Sequence, residues 1–242
     1  MSIFKKIFGK GDADAEVQET TPHESLGDNI QFLEKIINWV LPGTQVFYRD
    51  TTLEADTENI FSVGNIIRAG YFIDLSSMLR KPAPGIKTRF MVISAHAADF
   101  GLIPGLSVET HMFVLHPNSY LQVIDVYKVE GVTQVCLLHI PYKGISIFAR
   151  TNGVDFIQDN SHISLTDIAH KSLDAKMQQP VHEASLNEDW VGRTHELIGC
   201  NNEGQQLSLD YVTDFGAENI NSLSDSIHWL ANDNDELNRP ST

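Results

Sequence analysis

The stretch from Val108 to Arg150 constrains the fold of this chain more than any other part. Four runs rich in Val, Ile, Leu, Phe and Tyr follow one another there: ETHMFVLH, YLQVIDVYKV, VTQVCLLHI and GISIFAR. The segments PNS, EG and PYK that join them are too short to hold a helix, and each contains Pro, Gly or Asn. Short apolar runs joined by such turns predict an antiparallel β-meander.

The second and third runs predict a hairpin with a defined register. A two-residue turn at Glu130-Gly131 pairs Lys128 with Thr133, Val126 with Val135 and Ile124 with Leu137. One face of this hairpin is then aliphatic and faces the core, while the other carries Asp125, Tyr127, Gln134 and Cys136. A three-residue loop would exchange the two faces, and the sequence leaves that alternative open.

Amphipathic helices are predicted at both ends of the chain. Apolar residues recur at three- and four-residue spacing in Ser25–Leu41 and in Glu218–Leu230, and Pro42-Gly43 ends the first of these helices. A third helix begins at the N-cap Ser164 and ends before Pro180, and Thr57–Ala69 has a weaker helical pattern that Gly64 interrupts. The predicted fold class is therefore α+β, with a meander of about five to seven strands packed against these helices.

The predicted domain organisation is one globular body with two tails. Residues 1–24 are basic and then acidic, which predicts a flexible N-terminal tail. Residues 25–232 are predicted to form a single α+β domain, and residues 233–242 are predicted to form a loose C-terminal tail. A boundary near 151–163 is the alternative, because the composition becomes polar and turn-rich there. Hydrophobic residues at 42% and charged residues at 20% are ordinary for a globular protein.

The charge of the chain argues against nucleic acid as a partner. With 32 acidic and 17 basic side chains the formal net charge is -15, and no long basic run reverses it locally. The same charge suits a protein partner with a basic surface. Two cysteines in a chain of 242 residues do not form a disulfide framework, so we expect a reducing, cytoplasmic compartment.

The first ten residues raise the question of a membrane. In MSIFKKIFGK, apolar residues recur at helical spacing beside three lysines, a pattern that can lie on an anionic bilayer. A helix of that length is marginal in water, so a frayed terminus is the simpler interpretation. The opening also resembles the starts of many unrelated bacterial proteins, and nothing after it has the length of a membrane span.

Catalytic motifs are missing from the sequence. The patterns G-x-G-x-x-G, G-x-x-x-x-G-K-[ST], G-x-S-x-G and H-E-x-x-H do not occur. His182-Glu183 and His195-Glu196 each start the last of these, but the second histidine is missing. No cofactor is expected on this basis.

A cluster of histidines in the central strands is the one candidate for metal chemistry. The low-ranking candidate ligands are His96, His111 and His139 with Asp99 and Asp125, since imidazoles and carboxylates on adjacent strands can converge on Zn or Fe. His116 is five residues from His111, so on a regular strand the two face opposite sides. Strand histidines that are hydrogen-bonded to the backbone are the simpler interpretation.

A cysteine nucleophile is a further alternative. Cys136 shares a predicted face with Asp125, and His139 is near in sequence. Three residues separate Cys136 from His139, which places them on opposite faces of a regular strand and argues against a catalytic pair.

Two functions fit these observations. The preferred one is a non-enzymatic, acidic, cytosolic binding protein with a regulatory, chaperone-like or immunity-type role, because the chain is negatively charged and lacks catalytic motifs. The alternative is a metal-dependent hydrolase built on the histidines of the central strands. The sequence does not identify the partner, the substrate or the oligomeric state.

Overall fold

A computed structural model describes residues 26–102, 111–151, 153–216, 218–231 and 235–241. The predicted N-terminal tail, including the amphipathic residues 1–10, lies outside these ranges. The strands are β1 (Gln45–Thr51), β2 (Ile66–Arg68), β3 (Ile73–Ser76), β4 (Thr88–Ser94), β5 (Ala98–Asp99), β6 (Met112–Leu115), β7 (Tyr120–Val129) and β8 (Val132–Ile140). The helices are α1 (Leu26–Val40), α2 (Ile145–Thr151), α3 (Gly153–Ser161), α4 (Leu165–Met177), α5 (Glu188–Arg193), α6 (Glu218–Ala231) and α7 (Asp235–Asn238).

The described strands form one eight-stranded mixed sheet in the order β2-β7-β8-β4-β1-β3-β6-β5. All neighbours are antiparallel except β4 and β8, which are parallel. The predicted α+β class is confirmed in this coarse sense. The predicted meander of five to seven strands is wrong in detail, because β6 pairs with β3 and β5 and not with β7, its neighbour in sequence.

The short connection between β6 and β7 requires the sheet to curve. These strands are five positions apart in the sheet order, about 24 Å if the sheet were flat. The chain from Leu115 to Tyr120 can span only about 18 Å when fully extended. The sheet is therefore curved, and we call the face that packs the larger core its inner face. Its buried side chains include Phe47, Phe61, Ile67, Phe90, Phe113, Leu121, Val135 and Ile198.

The central hairpin has the predicted turn and the predicted register beside it, but the predicted pairing of Ile124 with Leu137 is wrong. Lys128 pairs with Thr133, and Val126 with Val135. Glu130 and Gly131 both have positive φ, at 50° and 84°, as a two-residue type I′ turn requires. A bulge between Val123 and Asp125 then shifts the pairing, so Val123 lies opposite Leu137.

Two segments differ from their predicted secondary structure. GISIFAR is predicted as a strand but forms the end of a 3-10 turn and helix α2, whose Phe148 is buried. A short apolar run fits a buried helix as well as a strand, and periodicity does not separate the two. Thr57–Ala69 is predicted as a helix, but it forms turns and the short strand β2, because Gly64 adopts a φ of 94° that breaks a helix.

Helices cover the outer face of the sheet. The Tyr48 hydroxyl donates to the Ser172 hydroxyl of α4 over 2.6 Å, and α6 buries Ile227 and Ala231 against Ala98 and Val114 of the sheet edge. Ser164 caps α4 as predicted, accepting from the Asp167 main-chain N–H. None of the helices in the described ranges is long and apolar enough to cross a bilayer.

The chain divides into two units, Met1–Lys35 and Ile36–Thr242, and the sheet lies in the second. The predicted single domain 25–232 stays a prediction. The sequence predicts a loose tail at 233–242, whereas in the structure Asp235–Asn238 form a helical turn whose Leu237 is buried.

Candidate functional site

Two of the predicted metal ligands belong to a packed aromatic cluster. The His96 ring stacks on Trp39 with centroids 3.9 Å apart, and its Nε2 lies 2.8 Å from the Trp39 carbonyl oxygen. His139 is buried edge-on to the same indole, and its Nδ1 lies 2.9 Å from the Ser94 hydroxyl. These contacts hold both imidazole rings against Trp39, inside the fold.

The other predicted ligands lie elsewhere. His111 Nε2 is 3.6 Å from an Asp99 oxygen at the β5–β6 edge, and Asp125 of β7 accepts from His170 Nε2 over 2.7 Å. Within the described residues, no three or more His, Cys, Asp or Glu side chains are placed to hold one metal ion. The candidates His96, His111, His139, Asp99 and Asp125 therefore do not converge on one site.

His116 also has a structural environment. The Asn118 main-chain N–H donates to His116 Nδ1 over 3.0 Å, so the ring proton lies on Nε2. That nitrogen then donates to the Ser224 hydroxyl, 2.6 Å away. An imidazole in this tautomer does not activate the serine as a base.

The cysteine-nucleophile hypothesis is wrong on geometry. Cys136 lies opposite Asp125 as predicted, but His139 is bound to Ser94. Burial raises the pKa of the Cys136 thiol, with a further contribution from the Asp125 charge. A reactive cysteine needs the reverse, a pKa lowered by a positive environment.

A buried ion pair lies on the outer face of β1 and β4. Arg89 and Asp50 are both buried, and two guanidinium nitrogens of Arg89 donate to the two Asp50 oxygens over 2.6 Å each. The Arg89 guanidinium also lies over the Tyr48 ring, 5.1 Å from its centroid. This arginine has a complete counter-charge within the fold, so we regard it as structural.

Arg49 is the second fully buried arginine, and its environment is different. It follows Phe47 by two residues on β1, so its side chain lies on the inner face. Its Nη1 and Nη2 donate to main-chain carbonyls, those of Asp74 at 3.2 Å and Glu196 at 3.3 Å. Within the described ranges, no carboxylate forms an ion pair with Arg49, and no group accepts from its Nε. This cation is buried without a bound counter-ion.

Tyr71 and Thr51 complete the surroundings of Arg49. The Tyr71 hydroxyl is hydrogen-bonded to Arg49 and donates to the Leu197 carbonyl over 2.8 Å. Burial raises the pKa of Tyr71 to about 12, although the Arg49 charge opposes that shift. Burial lowers the pKa of Arg49, and the charges of Tyr71, Asp74 and Glu196 oppose that shift. Thr51 of the same strand donates to the His195 carbonyl. We call Arg49, Thr51, Tyr71, Asp74, His195 and Glu196 the Arg49 cluster.

The Arg49 cluster lies at the start of an irregular segment, His195–Val212, which we call the strap. The strap contributes Leu197, Ile198 and Cys200 to the core of the inner face. A small cavity adjoins the cluster and has room for about one water molecule. Its walls include Asp50, Thr51, Trp190, Thr194 and His195.

Sequence reasoning missed Arg49, although a signal for it was present. Within the run TQVFYRD, the alternation of side chains along a strand places Arg49 on the same face as Phe47. An arginine at a core-facing strand position is uncommon and indicates a special environment. The strap could not be foreseen, because its contacts join residues more than a hundred positions apart.

Comparisons with known proteins give weak structural matches. No protein family and no curated protein matches the chain. The type III effector XopAI from Xanthomonas axonopodis pv. citri matches with 13% identity and a TM-score of 0.33, over 43% of this chain and 43% of that chain. The ADP-ribosyltransferase Vis, from Vibrio splendidus, matches in its inhibitor complex with 16% identity and a TM-score of 0.32, over 47% of this chain and 58% of that chain. C3larvin, an ADP-ribosyltransferase toxin of Paenibacillus larvae, matches with 14% identity and a TM-score of 0.30, over 48% of this chain and 70% of that chain.

These matches correct the function predicted from the sequence. The matched structures are named as ADP-ribosyltransferases and an effector, which are not the non-enzymatic binding protein or the metal-dependent hydrolase that we predicted. Both predictions are therefore withdrawn. Scores near 0.3 do not give this chain an activity, so any activity has to be argued from its own residues.

Proposed function

We propose that this chain is an ADP-ribosyltransferase-type enzyme that binds its dinucleotide at the Arg49 cluster. The reaction class is the one that the matched structures name. The observation that supports it in this chain is Arg49 itself, a fully buried guanidinium held by two main-chain carbonyls and Tyr71, with no carboxylate in an ion pair and an unused Nε among the described residues.

A diphosphate is the ligand group that such an arginine suits. The planar guanidinium presents several donors in a fixed fork, which matches the oxygens of a phosphate. Burying a cation without a counter-ion costs free energy, and an anionic ligand would supply the missing charge. The contrast with Arg89 is informative, because that buried arginine already has the Asp50 carboxylate.

The chemistry of the transfer sets what else the site needs. The bond between the ribose carbon and the nicotinamide nitrogen of NAD⁺ breaks, and nicotinamide leaves with the bonding electrons as a neutral molecule. The acceptor then bonds to the same carbon and gives up one proton. Asp74 and Glu196 are the candidate carboxylates, since their charges act on Arg49 and a carboxylate both stabilises a cationic sugar and takes a proton.

The acceptor is proposed only by class. One Vis structure contains agmatine and the BECa toxin structure of C. perfringens contains NADH, so those proteins bind a guanidinium compound and a dinucleotide. A protein or small molecule with a basic group is the corresponding acceptor here. A protein partner with a basic surface is compatible with the net charge of -15 and stays a proposal, as does a cytoplasmic location.

The proposal is tested by measuring nicotinamide released from NAD⁺ by the full chain, with agmatine or a basic protein as acceptor. We expect release to fall on the order of 100-fold in Arg49→Lys, because the lysine keeps the charge but loses the fork. Arg89→Lys is the matched control, a fully buried arginine outside the cluster, and its release should stay near that of the native chain. No release from the native chain would contradict the proposal.

A further inference from the structure

His195 is the most exposed residue of the Arg49 cluster. Its side chain is 60% exposed, whereas Arg49 is fully buried and the Glu196 side chain is 36% exposed. The main-chain carbonyl of His195 accepts from the hydroxyl of Thr51, which follows Arg49 by two residues on β1. A molecule that approaches the cluster from solvent can therefore contact this imidazole directly.

The tautomer of His195 follows from its contact with the main chain. Its Nδ1 lies 2.8 Å from the Gly192 carbonyl oxygen. Because a carbonyl oxygen only accepts, the ring proton of the neutral imidazole is on Nδ1 and the lone pair is on Nε2. A neutral imidazole with a basic nitrogen on a largely exposed ring is the side chain best suited to take a proton near neutral pH.

The carboxylate of Glu196 lies beside the basic nitrogen. One of its oxygens is 3.9 Å from His195 Nε2. A carboxylate at that distance stabilises the imidazolium that forms when Nε2 takes a proton. The imidazolium would then have the Gly192 carbonyl at Nδ1 and the carboxylate at Nε2. The main-chain carbonyl of the same Glu196 accepts from Arg49, so the histidine and its carboxylate are both attached to the cluster.

Asp74, the other candidate carboxylate, is less suited to take the proton of the acceptor. Ile73 and Leu75 lie in the core of the inner face, so alternation along β3 places the Asp74 side chain on the outer face. Its carboxylate accepts there from Arg193 over 3.1 Å. A carboxylate that takes the proton also loses the charge that stabilises a cationic sugar, and a separate base avoids that loss.

We propose that His195 is the base of the transfer and that Glu196 stabilises the imidazolium it becomes. Nicotinamide leaves the ribose carbon with the electrons of its bond, and the nitrogen or oxygen of the acceptor bonds to that carbon with its lone pair. The proton that the acceptor loses passes to His195 Nε2, and the imidazolium later gives it to water. The inference rests on the proposed function, because it needs the transfer to occur.

The test is the pH dependence of ADP-ribosyl transfer from NAD⁺ to agmatine by the full chain. The native rate should rise between about pH 5 and 8 and then level, because an imidazole loses its charge in that range. His195→Gln should lower the rate at pH 8 on the order of 100-fold and remove the rise. His170→Gln is the matched control, since this half-exposed histidine also lies beside a carboxylate, 2.7 Å from Asp125, but outside the cluster. Its profile should follow that of the native chain.

A second variant separates the loss of a base from the loss of the fold. Added imidazole should raise the rate of His195→Ala by roughly tenfold or more, because the site is open to solvent and only a folded chain can be rescued. If His195→Gln keeps the native rise with pH, or if imidazole does not rescue His195→Ala, the inference falls and the proposed function stands. If the native chain releases no nicotinamide, the proposed function falls and the inference falls with it.

Discussion

The guanidinium of Arg49 donates to the main-chain carbonyl of Glu196 over 3.3 Å, a contact between β1 and the strap. A neutral carbonyl oxygen at that distance is a weak partner for a fully buried cation. The same strand carries Asp50, which forms a bidentate pair with Arg89 on the outer face. One strand thus places a paired and an unpaired charge on opposite faces, and the two should respond differently to mutation.

The first prediction compares Arg49→Met with Arg89→Met. Both arginines are 0% exposed. Arg89→Met leaves the buried Asp50 carboxylate without a partner and should lower the free energy of unfolding by about 3–5 kcal/mol. Arg49→Met leaves no bound carboxylate without its partner, so it should change the free energy of unfolding by less than about 1.5 kcal/mol in either direction. Urea denaturation measures both, and equal losses would show that Arg49 is a structural residue like Arg89.

The second prediction concerns the hairpin turn. Glu130 has a φ of 50°, which asparagine adopts more readily than glutamate. Glu130→Asn should raise the free energy of unfolding by about 0.5–1 kcal/mol, since its exposed ion pair with Lys81 contributes little. Gly131 has a φ of 84° and open space around it. Gly131→Ala should lower the free energy of unfolding by about 1–2 kcal/mol, because alanine is strained at that φ. Thermal unfolding of the two variants checks the sign of each change.

The third prediction is a pH dependence that Tyr71 causes. Its pKa is about 12 in the fold, above the ordinary value of 10.0, so the fold favours the neutral phenol. The stability that this adds is complete below pH 10 and is lost as the pH rises from 10 to about 12. The free energy of unfolding of Tyr71→Phe should therefore fall less over that range than that of the native chain. An unchanged slope in Tyr71→Phe would mean that other buried phenols and thiols cause the alkaline loss.

The fourth prediction tests a helix cap. The Ser164 hydroxyl accepts from the Asp167 N–H over 3.1 Å at the start of α4. Ser164→Ala should lower the free energy of unfolding by about 1 kcal/mol, while Ser164→Asp should keep most of it. If alanine and aspartate behave alike in urea denaturation, the cap contributes nothing.

Local features of this fold could be predicted from the sequence. The register of the β7–β8 hairpin beside its turn follows from a two-residue turn, and α1, α4 and α6 follow from apolar spacing. These features depend on residues near one another in the chain. The order of the strands could not be predicted, because β6 joins β3 across a curved sheet and short loops alone favour pairing with β7.

Most of the candidate site was not predictable, for a related reason. The sequence predicted histidines as possible metal ligands, yet His96 and His139 pack against Trp39. The candidate carboxylate Asp125 accepts a hydrogen bond from a different histidine, His170. Arg49 belongs to none of the motifs that the sequence contains or nearly contains. Among the described residues, Arg49 has no carboxylate partner. Whether a buried arginine has such a partner depends on the fold of the whole chain.

The most direct test of the account is the equilibrium binding of NAD⁺ to the full chain and to Arg49→Lys, measured by calorimetry under conditions where both are folded. We predict that NAD⁺ binds the native chain and that Arg49→Lys weakens this binding. NAD⁺ binding of equal strength with and without Arg49, or no binding to the native chain, would contradict the claim that the Arg49 cluster is the ligand site.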